Sequence, residues 1–325
     1  MKILIVRTDR LGDMLLTLPM ASAIKQRIPG AHITMMIREY TLPIVKMCPD
    51  VDEILTVDTA WSSFRLAKEM RTTNADVVFL PSPRTKLAFA VLFSGISKRV
   101  GTGYRWYSFC FNKKTYDHRK TAEHNEAEYN VRMLSTIGIT NATTPLPKLQ
   151  LSAKNEIAEP YAVLHLLTGG SSPAWNTDGF ITIASWLGRA KNLPIVLTGE
   201  KKDSEFFFTV TAKMKLEGVN VHIQDQLRLE ELASTLRDAT CVVAGATGPG
   251  HLAAALGTPT VGLFPLATSI SKERWGFRGK RVVNIAPSSP VNPECPKCAH
   301  CTCISTITID SVKEALEKAI GRYNE

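Results

Sequence analysis

The stretch CVVAGATGPGHLAAALGTPTVGLF, residues 241–264, decides the fold. Cys241–Ala244 is a short, β-rich apolar run. Glycines at 245, 248 and 250 interrupt it, His251–Leu256 continues as a small-residue helix, and Thr260–Phe264 returns as a second apolar run. A strand, a helix and a second strand at this spacing imply parallel pairing through a right-handed crossover. The turn carries chemistry as well. Pro249 suits the first helical turn, where its missing N–H would have no partner in any case. The free N–H groups and dipole of that turn make a ready anion site, to which Thr247 adds a hydroxyl, His251 an imidazole, and Gly248 and Gly250 an approachable backbone. A glycine turn that merely seats the helix close to the sheet is the other reading of the same residues.

The alternation extends in both directions from this unit. Strands are expected at Ala162–Leu167, Ile195–Thr198, Val221–Ile223 and Val282–Ile285, with helices at Thr177–Gly188, Asp203–Leu216, Leu229–Asp238 and Asp310–Ile320. The first half repeats the pattern, with strands at Ile3–Val6, Ile33–Ile37, Ile54–Val57, Val77–Leu80 and Arg99–Gly101. Amphipathic stretches at Leu15–Ile28, Phe64–Met70 and Leu87–Phe93 lie between them. Thr140–Glu159 is polar, contains Pro145 and Pro147 and is followed by Pro160, the composition of a linker. At 325 residues the chain exceeds what one core usually supports. The expected architecture is therefore α/β: two doubly wound, Rossmann-like parallel-sheet domains, 1–155 and 156–325, facing each other across a cleft. The final helix, 310–320, is expected to be able to pack back toward the N-terminal domain. Ligands of such sheets bind beyond the carboxyl ends of the strands, so the turns after strands are where chemistry is sought.

Two further turns qualify. Arg10-Leu11-Gly12-Asp13 follows the first strand and places a carboxylate at the start of a helix expected near Met14. Asp13 there is either a general base held anionic by the dipole or simply an N-cap. His165-Leu-Leu-Thr168-Gly169-Gly-Ser-Ser172, followed by Trp175, offers hydroxyls and glycines that suit phosphate contacts or an ordinary strand-to-helix turn. No Lys-Ser/Thr follows the glycines at 245–250, and no G-x-G-x-x-G follows the first strand, which removes support from phosphate-loop and nicotinamide readings.

Hydrophobic residues at 44% and charged residues at 21% exclude a disordered chain. The apolar run at Met1–Val6 ends at Arg7 and Asp9, and Leu87–Phe93 is far too short to span a bilayer, so the expectation is a cytoplasmic protein. Cys295, Cys298, Cys301 and Cys303, with His300, form a thiol cluster of the kind found in reducing compartments. It could ligate zinc or an iron–sulfur cluster, although structural zinc sites usually split their ligands into two separated pairs, and the expectation is no metal and no cofactor. The net charge of +9 is concentrated in 98–120, where Lys98, Arg99, Arg105, Lys113, Lys114, Arg119 and Lys120 face only Asp117. Such a segment attracts phosphate on a nucleotide, a nucleic acid or a lipid surface, or is a solvated basic face.

Taken together, Arg10-Leu-Gly-Asp13 with Leu15-Leu-Thr-Leu-Pro19, the run from His165 to Trp175, Thr247-Gly-Pro-Gly-His251-Leu-Ala-Ala-Ala-Leu-Gly257-Thr-Pro and Gly262-Leu-Phe-Pro265 resemble glycosyltransferase family nine. These are the lipopolysaccharide heptosyltransferases of GT-B fold, and the resemblance covers nearly the whole chain, including a cysteine-bearing segment ahead of the final helix. It implies an inverting, metal-independent transfer of a sugar, heptose from ADP-heptose among the candidates, to an anionic glycolipid such as the lipopolysaccharide inner core. Asp13 would deprotonate the acceptor hydroxyl. Thr168, Gly169, Thr247, Gly248, Gly250 and His251 would bind the donor diphosphate, and Arg10 and Arg105 the acceptor. A degenerate, nonenzymatic nucleotide-binding protein is the alternative, because the family's lysine before the tryptophan is Pro173 here and the acidic or polar residue before Thr-Gly is Ala246. The basic segment interleaves Tyr104, Trp106, Tyr107, Phe109 and Phe111 with its cations, which suits an acidic glycolipid and peripheral contact with the inner membrane surface; no nucleic acid partner is expected.

Overall fold

A computed structural model describes residues 1–140, 142–152, 155, 157–290, 295 and 302–321. The chain divides into two compact units, the first comprising 1–119 and 124–150, the second 120–123 and 151–325. The expected break at 155/156 thus falls a few residues earlier, and four residues of the first half belong to the second unit.

In the first unit the order is β1 (Lys2–Val6), α1 (Leu11–Leu15), α2 (Leu18–Arg27), β2 (His32–Ile37), α3 (Leu42–Lys46), β3 (Glu53–Thr56), α4 (Ser63–Thr72), β4 (Val77–Phe79), α5 (Thr85–Phe93), β5 (Lys98–Thr102), β6 (Lys113–Thr115) and α6 (Glu126–Arg132). The second unit holds β7 (Ala162–His165), α7 (Thr177–Lys191), β8 (Ile195–Thr198), α8 (Ser204–Leu216), β9 (Val221–Gln224), α9 (Leu229–Asp238), β10 (Cys241–Gly245), α10 (Gly248–Ala255), β11 (Thr260–Leu263), α11 (Lys272–Trp275), β12 (Val282–Ile285) and α12 (Ile309–Gly321). Each unit carries one six-stranded parallel sheet, ordered β3-β2-β1-β4-β5-β6 and β12-β11-β10-β7-β8-β9. In both, strand order reverses beside the unit's first strand, between β1 and β4 and between β7 and β10. The doubly wound α/β expectation holds for each unit.

The central strands explain why the sheets form. Ile3–Val6 are all buried, as are Ala162–Leu164 and Cys241–Gly245, the unbroken apolar runs expected of strands covered on both faces. The second core gathers Leu164, Phe180, Phe207 and Val243, and it takes in Val312, Ala315, Leu316 and Ala319 of α12. The final helix therefore buries its apolar stripe on β11, β12 and α7 of its own unit.

Several elements differ from the sequence reading, which did not expect α3 or α11. The helix expected over Leu15–Ile28 is two helices: α1 stops at Leu15 and α2 restarts after Thr17, with Pro19 in its first turn. Proline lacks the N–H a continuous helix would need and clashes with the preceding turn. β6 is three residues long with two lysines, a charged edge strand that hydrophobic periodicity does not reveal. α6 is opened by Asn125, whose side chain accepts from the Ala127 N–H at 3.0 Å, while Glu128 accepts from the Asn125 N–H at 3.2 Å.

Candidate functional site

In the first unit, the loops after β1 and β4 emerge side by side at the switch point. Asp9 ties them together, because the Arg84 guanidinium donates to its Oδ1 from Nη2 at 2.8 Å and from Nε at 3.1 Å. Arg7 lies directly behind. It is buried, its Nη2 donates to Asp13 Oδ1, and its Nε sits 3.1 Å from Asp9 Oδ2, close enough for charge attraction but out of line for a hydrogen bond. Burial opposes the charge on Arg7, yet Asp13, Asp9 and Glu126 outweigh it and raise its pKa. Burial likewise disfavours the Asp9 carboxylate, but Arg7, then the Ser82 hydroxyl and Arg84, bring its pKa below the usual range. Both groups are charged at neutral pH.

Asp13 does lie at a helix start, but α1 begins at Leu11 and not near Met14, so Asp13 is the third residue of the first turn and, instead of being the N-cap, reaches back to accept from the Arg10 N–H at 3.3 Å. Its side chain keeps 21% exposure, which leaves part of the carboxylate accessible while Arg7 holds Oδ1. The backbone beneath is pinned too. Thr17 Oγ1 donates to the Asp13 carbonyl at 2.8 Å, and Asn130 Nδ2 donates to the Leu16 carbonyl at 3.0 Å. Asn130 belongs to α6, where buried Glu126 accepts from Arg119. Arg10 is exposed beside Asp13; Arg105 is exposed on the loop after β5 and, among the described residues, shares no hydrogen bond with the Arg7–Asp13 group.

In the second unit, the turns after β7 and β10 adjoin in the same way. The Ser171 hydroxyl lies 2.7 Å from both the Thr168 and the Ala246 carbonyls, and a Cβ at Gly245 would lie 3.2 Å from Thr168 Cγ2. Gly169 and Gly170 take φ of +55° and +75°, which bends the first turn. The Thr168 hydroxyl donates to the Ser172 carbonyl, so it closes its own turn. Thr168, Gly169, Thr247, Gly248, Gly250 and His251 are thus gathered on two touching turns at one sheet edge.

α10 opens after Thr247, an extended N-cap, with Pro249 in its first turn. Thr247 and His251 are buried, and among the described residues Thr247 Oγ1 and His251 Nδ1 have no hydrogen-bond partner. Burial lowers the His251 pKa to about 3, so the ring is neutral at physiological pH. It packs edge-on against Phe277, ring centroids 4.7 Å apart, and Gly250 is what makes room: a Cβ there would lie 2.1 Å from the Phe277 ring. Asn284 in turn holds the Phe277 backbone, accepting from its N–H at 3.1 Å and donating to its carbonyl at 3.0 Å. His165, beneath the turns, pairs with Thr198 Oγ1 at 2.9 Å and is lowered by burial to about 4.

Sequence reasoning missed Arg7, Glu126 and Phe277. A signal existed for Arg7, a cation that ends an apolar strand at the sheet's carboxyl edge; none existed for Glu126 or Phe277, whose roles depend on long-range packing. The basic segment is also corrected. Tyr107 and Phe111 are core residues against α5, and Arg119 is paired with Glu126, so 98–120 is not one aromatic and cationic face. Of the thiols, Cys303 is buried and accepts from the Leu266 N–H at 3.3 Å, with Cys295 packed nearby; Cys298, His300 and Cys301 lie outside the described residues.

Comparison with known proteins adds a family to this geometry. The model of glycosyltransferase family 9 (heptosyltransferase) matches residues 63–303, so Asp13 precedes the matched segment. A Haemophilus influenzae protein carried under a provisional glycosyltransferase name is 25% identical over 300 residues, 84% of this chain and 85% of that one. Lipopolysaccharide heptosyltransferase 3 of Escherichia coli K12 is 24% identical over 285 residues, 81% of this chain and 82% of that one. The solved structure of E. coli ADP-heptose lipopolysaccharide heptosyltransferase II superposes with a TM-score of 0.79 at 20% identity, covering 100% of both chains.

Proposed function

The chain belongs to glycosyltransferase family 9, the heptosyltransferase family, and we propose that it moves a sugar from a nucleotide diphosphate donor, ADP-heptose being the first candidate, to a hydroxyl of an anionic glycolipid such as the lipopolysaccharide inner core. The observation that carries this reading is the start of α10. Two buried polar side chains, Thr247 and His251, have atoms (Oγ1 and Nδ1) without a hydrogen-bond partner among the described residues, at a glycine-lined helix N-terminus where an anion is favoured by the free N–H groups and the dipole.

The chemistry follows from what each unit offers. The acceptor oxygen attacks the anomeric carbon as the bond to the diphosphate breaks, which inverts the configuration, and the acceptor proton passes to Asp13. Charge then develops on the departing nucleoside diphosphate. Gly248 and Gly250 let it approach the α10 backbone, Thr247 adds a hydroxyl donor, and neutral His251 adds a ring N–H. Preorganised donors of this kind are worth about 3 kcal/mol of barrier each, so the reading calls on no metal ion. Gly169 supports the diphosphate from the neighbouring turn, with Thr168 shaping that turn. Arg10, next to Asp13, and exposed Arg105 supply cations for acidic groups of the acceptor. Among the described residues no helix is long and apolar enough to cross a membrane; the reading places the protein in the cytoplasm, in peripheral contact with the membrane that carries its acceptor.

Nucleotide binding without transfer is the second reading. Pro173 in place of the family's lysine favours it, as does the Thr168 hydroxyl's bond to Ser172. A panel of nucleotide sugars separates the two. Sugar transfer or donor hydrolysis by the native protein, falling by a factor of about 10² to 10⁴ in Asp13→Ala with nucleotide affinity retained, is the result expected of a base. Tight nucleotide binding by both proteins with no turnover of any donor sinks the transferase reading.

A further inference from the structure

The first unit exposes a connected cluster of five aromatic rings. Phe64 of α4 stacks on Phe93 of α5 at 4.7 Å between centroids, and Phe89 lies 6.1 Å from Phe93. Phe89 also meets Trp106 and Phe109 of the loop after β5, each at 6.0 Å, and those two lie 6.4 Å apart. Three of the rings are strongly exposed: Phe64 at 69%, Trp106 at 71% and Phe109 at 57%. Single exposed aromatics are ordinary on a protein surface, but a contiguous group of them marks a surface that something covers.

The charges on the same elements indicate what covers it. α4 carries Arg65, Lys68 and Arg71, α5 carries Lys86 and the loop carries Arg105, against Glu69 alone. A second copy of the chain, seated on this patch about a two-fold axis, would bring these cations against their own equivalents. A bilayer with anionic headgroups does the opposite: it neutralises the cations while Trp and Phe enter the headgroup region that aromatic rings favour. We propose that α4, α5 and the loop after β5 form the face by which this protein docks on an anionic lipid surface, with Phe64, Trp106 and Phe109 entering the headgroup layer. The inference deepens the reading of a membrane-borne acceptor and rests on it. It replaces the basic segment 98–120 by a surface in which only Trp106, Phe109 and Arg105 come from that segment.

The test is partition onto phosphatidylcholine vesicles with increasing phosphatidylglycerol, for the native protein and for the triple variant Phe64→Ser, Trp106→Ser, Phe109→Ser. Native partition should rise with phosphatidylglycerol and fall with salt, and the triple variant should bind at least about tenfold more weakly even at low salt, because the rings lose their apolar burial. The blue shift of tryptophan emission on vesicles should vanish in Trp106→Ser. A second variant, Lys68→Glu with Lys86→Glu, leaves the rings in place and should also lose about tenfold. Equal partition of native and triple variant, equal binding to neutral vesicles, no partition at all, or a native dimer that the triple variant dissociates would each overturn the proposal. Donor hydrolysis without vesicles keeps the two readings apart: the triple variant should match the native protein there, whereas absent hydrolysis in both, with vesicle binding intact, counts against sugar transfer and not against docking.

Discussion

At the carboxyl edge of the first sheet, Arg7 is enclosed by Asp9, Asp13 and Glu126, and Arg84 and Arg119 hold two of those carboxylates from the far side. At the carboxyl edge of the second sheet, α10 presents a hydroxyl and a neutral imidazole that, among the described residues, have neither a hydrogen bond at Thr247 Oγ1 and His251 Nδ1 nor an ion pair. Arg7 Nε and Nη1 and Asp9 Oδ2 make no hydrogen bond among them either, but they belong to groups whose charges are paired. The same topology thus carries two kinds of site. Ion pairs within the first fix the position of Asp13 whatever is bound, so their contribution is paid into folding. Unpaired donors in the second cost folding stability and return it only when an acceptor for their hydrogens arrives. A substitution at the first site should therefore damage the fold along with function, and one at the second should damage ligand binding alone.

Arg7→Gln breaks the comparison most severely if it is wrong. Removing the cation takes a neighbouring positive charge from Asp9 and Glu126, both largely out of solvent, and leaves Asp13 without its guanidinium. Truncating one member of a buried ion pair costs about 3–5 kcal/mol, and the partial exposure of Asp13 puts the expected loss at the lower end, about 3 kcal/mol. Urea unfolding followed by hydrogen exchange at β1 and α1 measures it. A loss below about 1 kcal/mol would mean that the six charged groups are not acting as a unit.

How much of this was legible in the sequence differs between the sites for a physical reason. The donor turn is local: strand 241–244, the glycines and the helix that follows are contiguous, and each residue's role depends on neighbours a few positions away. The pairing around Arg7 is long-range. Arg84 reaches Asp9 across 75 positions, and Glu126 and Arg119 come from the other end of the unit. A single sequence shows a cation after a strand but not which carboxylates fold against it. Edge strand β6 escaped for a related reason, since Lys113-Lys114-Thr115 is defined by pairing with β5 and not by any apolar pattern. The break between α1 and α2 was readable from Pro19, and the smooth apolar face on either side of it concealed the stop.

Acid separates the units along the pH axis. His165 and His251 are lowered by burial to about 4 and about 3, so on acidification the unfolded chain takes up their protons near pH 6.5 while the folded second unit does not. Folding stability contributed by that unit is whole above pH 6.5 and falls as pH drops toward 4 and then 3, by about 2 kcal/mol for each histidine at pH 5. Asp9 has the opposite sense of charge and a later onset. Its pKa is lowered, so its stabilisation persists down to about 3.8, the unfolded value, and is lost only below it. Hydrogen exchange resolved by unit, followed from pH 7 to pH 4, should show β7, β8 and β10 losing protection before β1 and β4. The reverse order would mean that the histidines are not the first groups to weaken the fold.

The smallest expected effect is the sharpest test of the contrast. Thr247→Val keeps the shape of the side chain and removes a buried hydroxyl that has no hydrogen-bond partner among the described residues, so none of their hydrogen bonds is lost. Replacing an unsatisfied buried polar group by an apolar one of the same shape is neutral or slightly stabilising, within about 1 kcal/mol. Nucleotide diphosphate binding should lose the one hydrogen bond that the hydroxyl reserves for it, a charge-assisted bond worth about 1.5–3 kcal/mol, or roughly tenfold to a hundredfold in Kd. Unfolding and calorimetric titration on the same variant therefore have to move in different directions: unchanged or higher stability together with weaker binding. A variant that loses stability and binds nucleotide as before would show that the hydroxyl serves the fold, and the distinction between a site completed by its own ion pairs and a site completed by its ligand would fall with it.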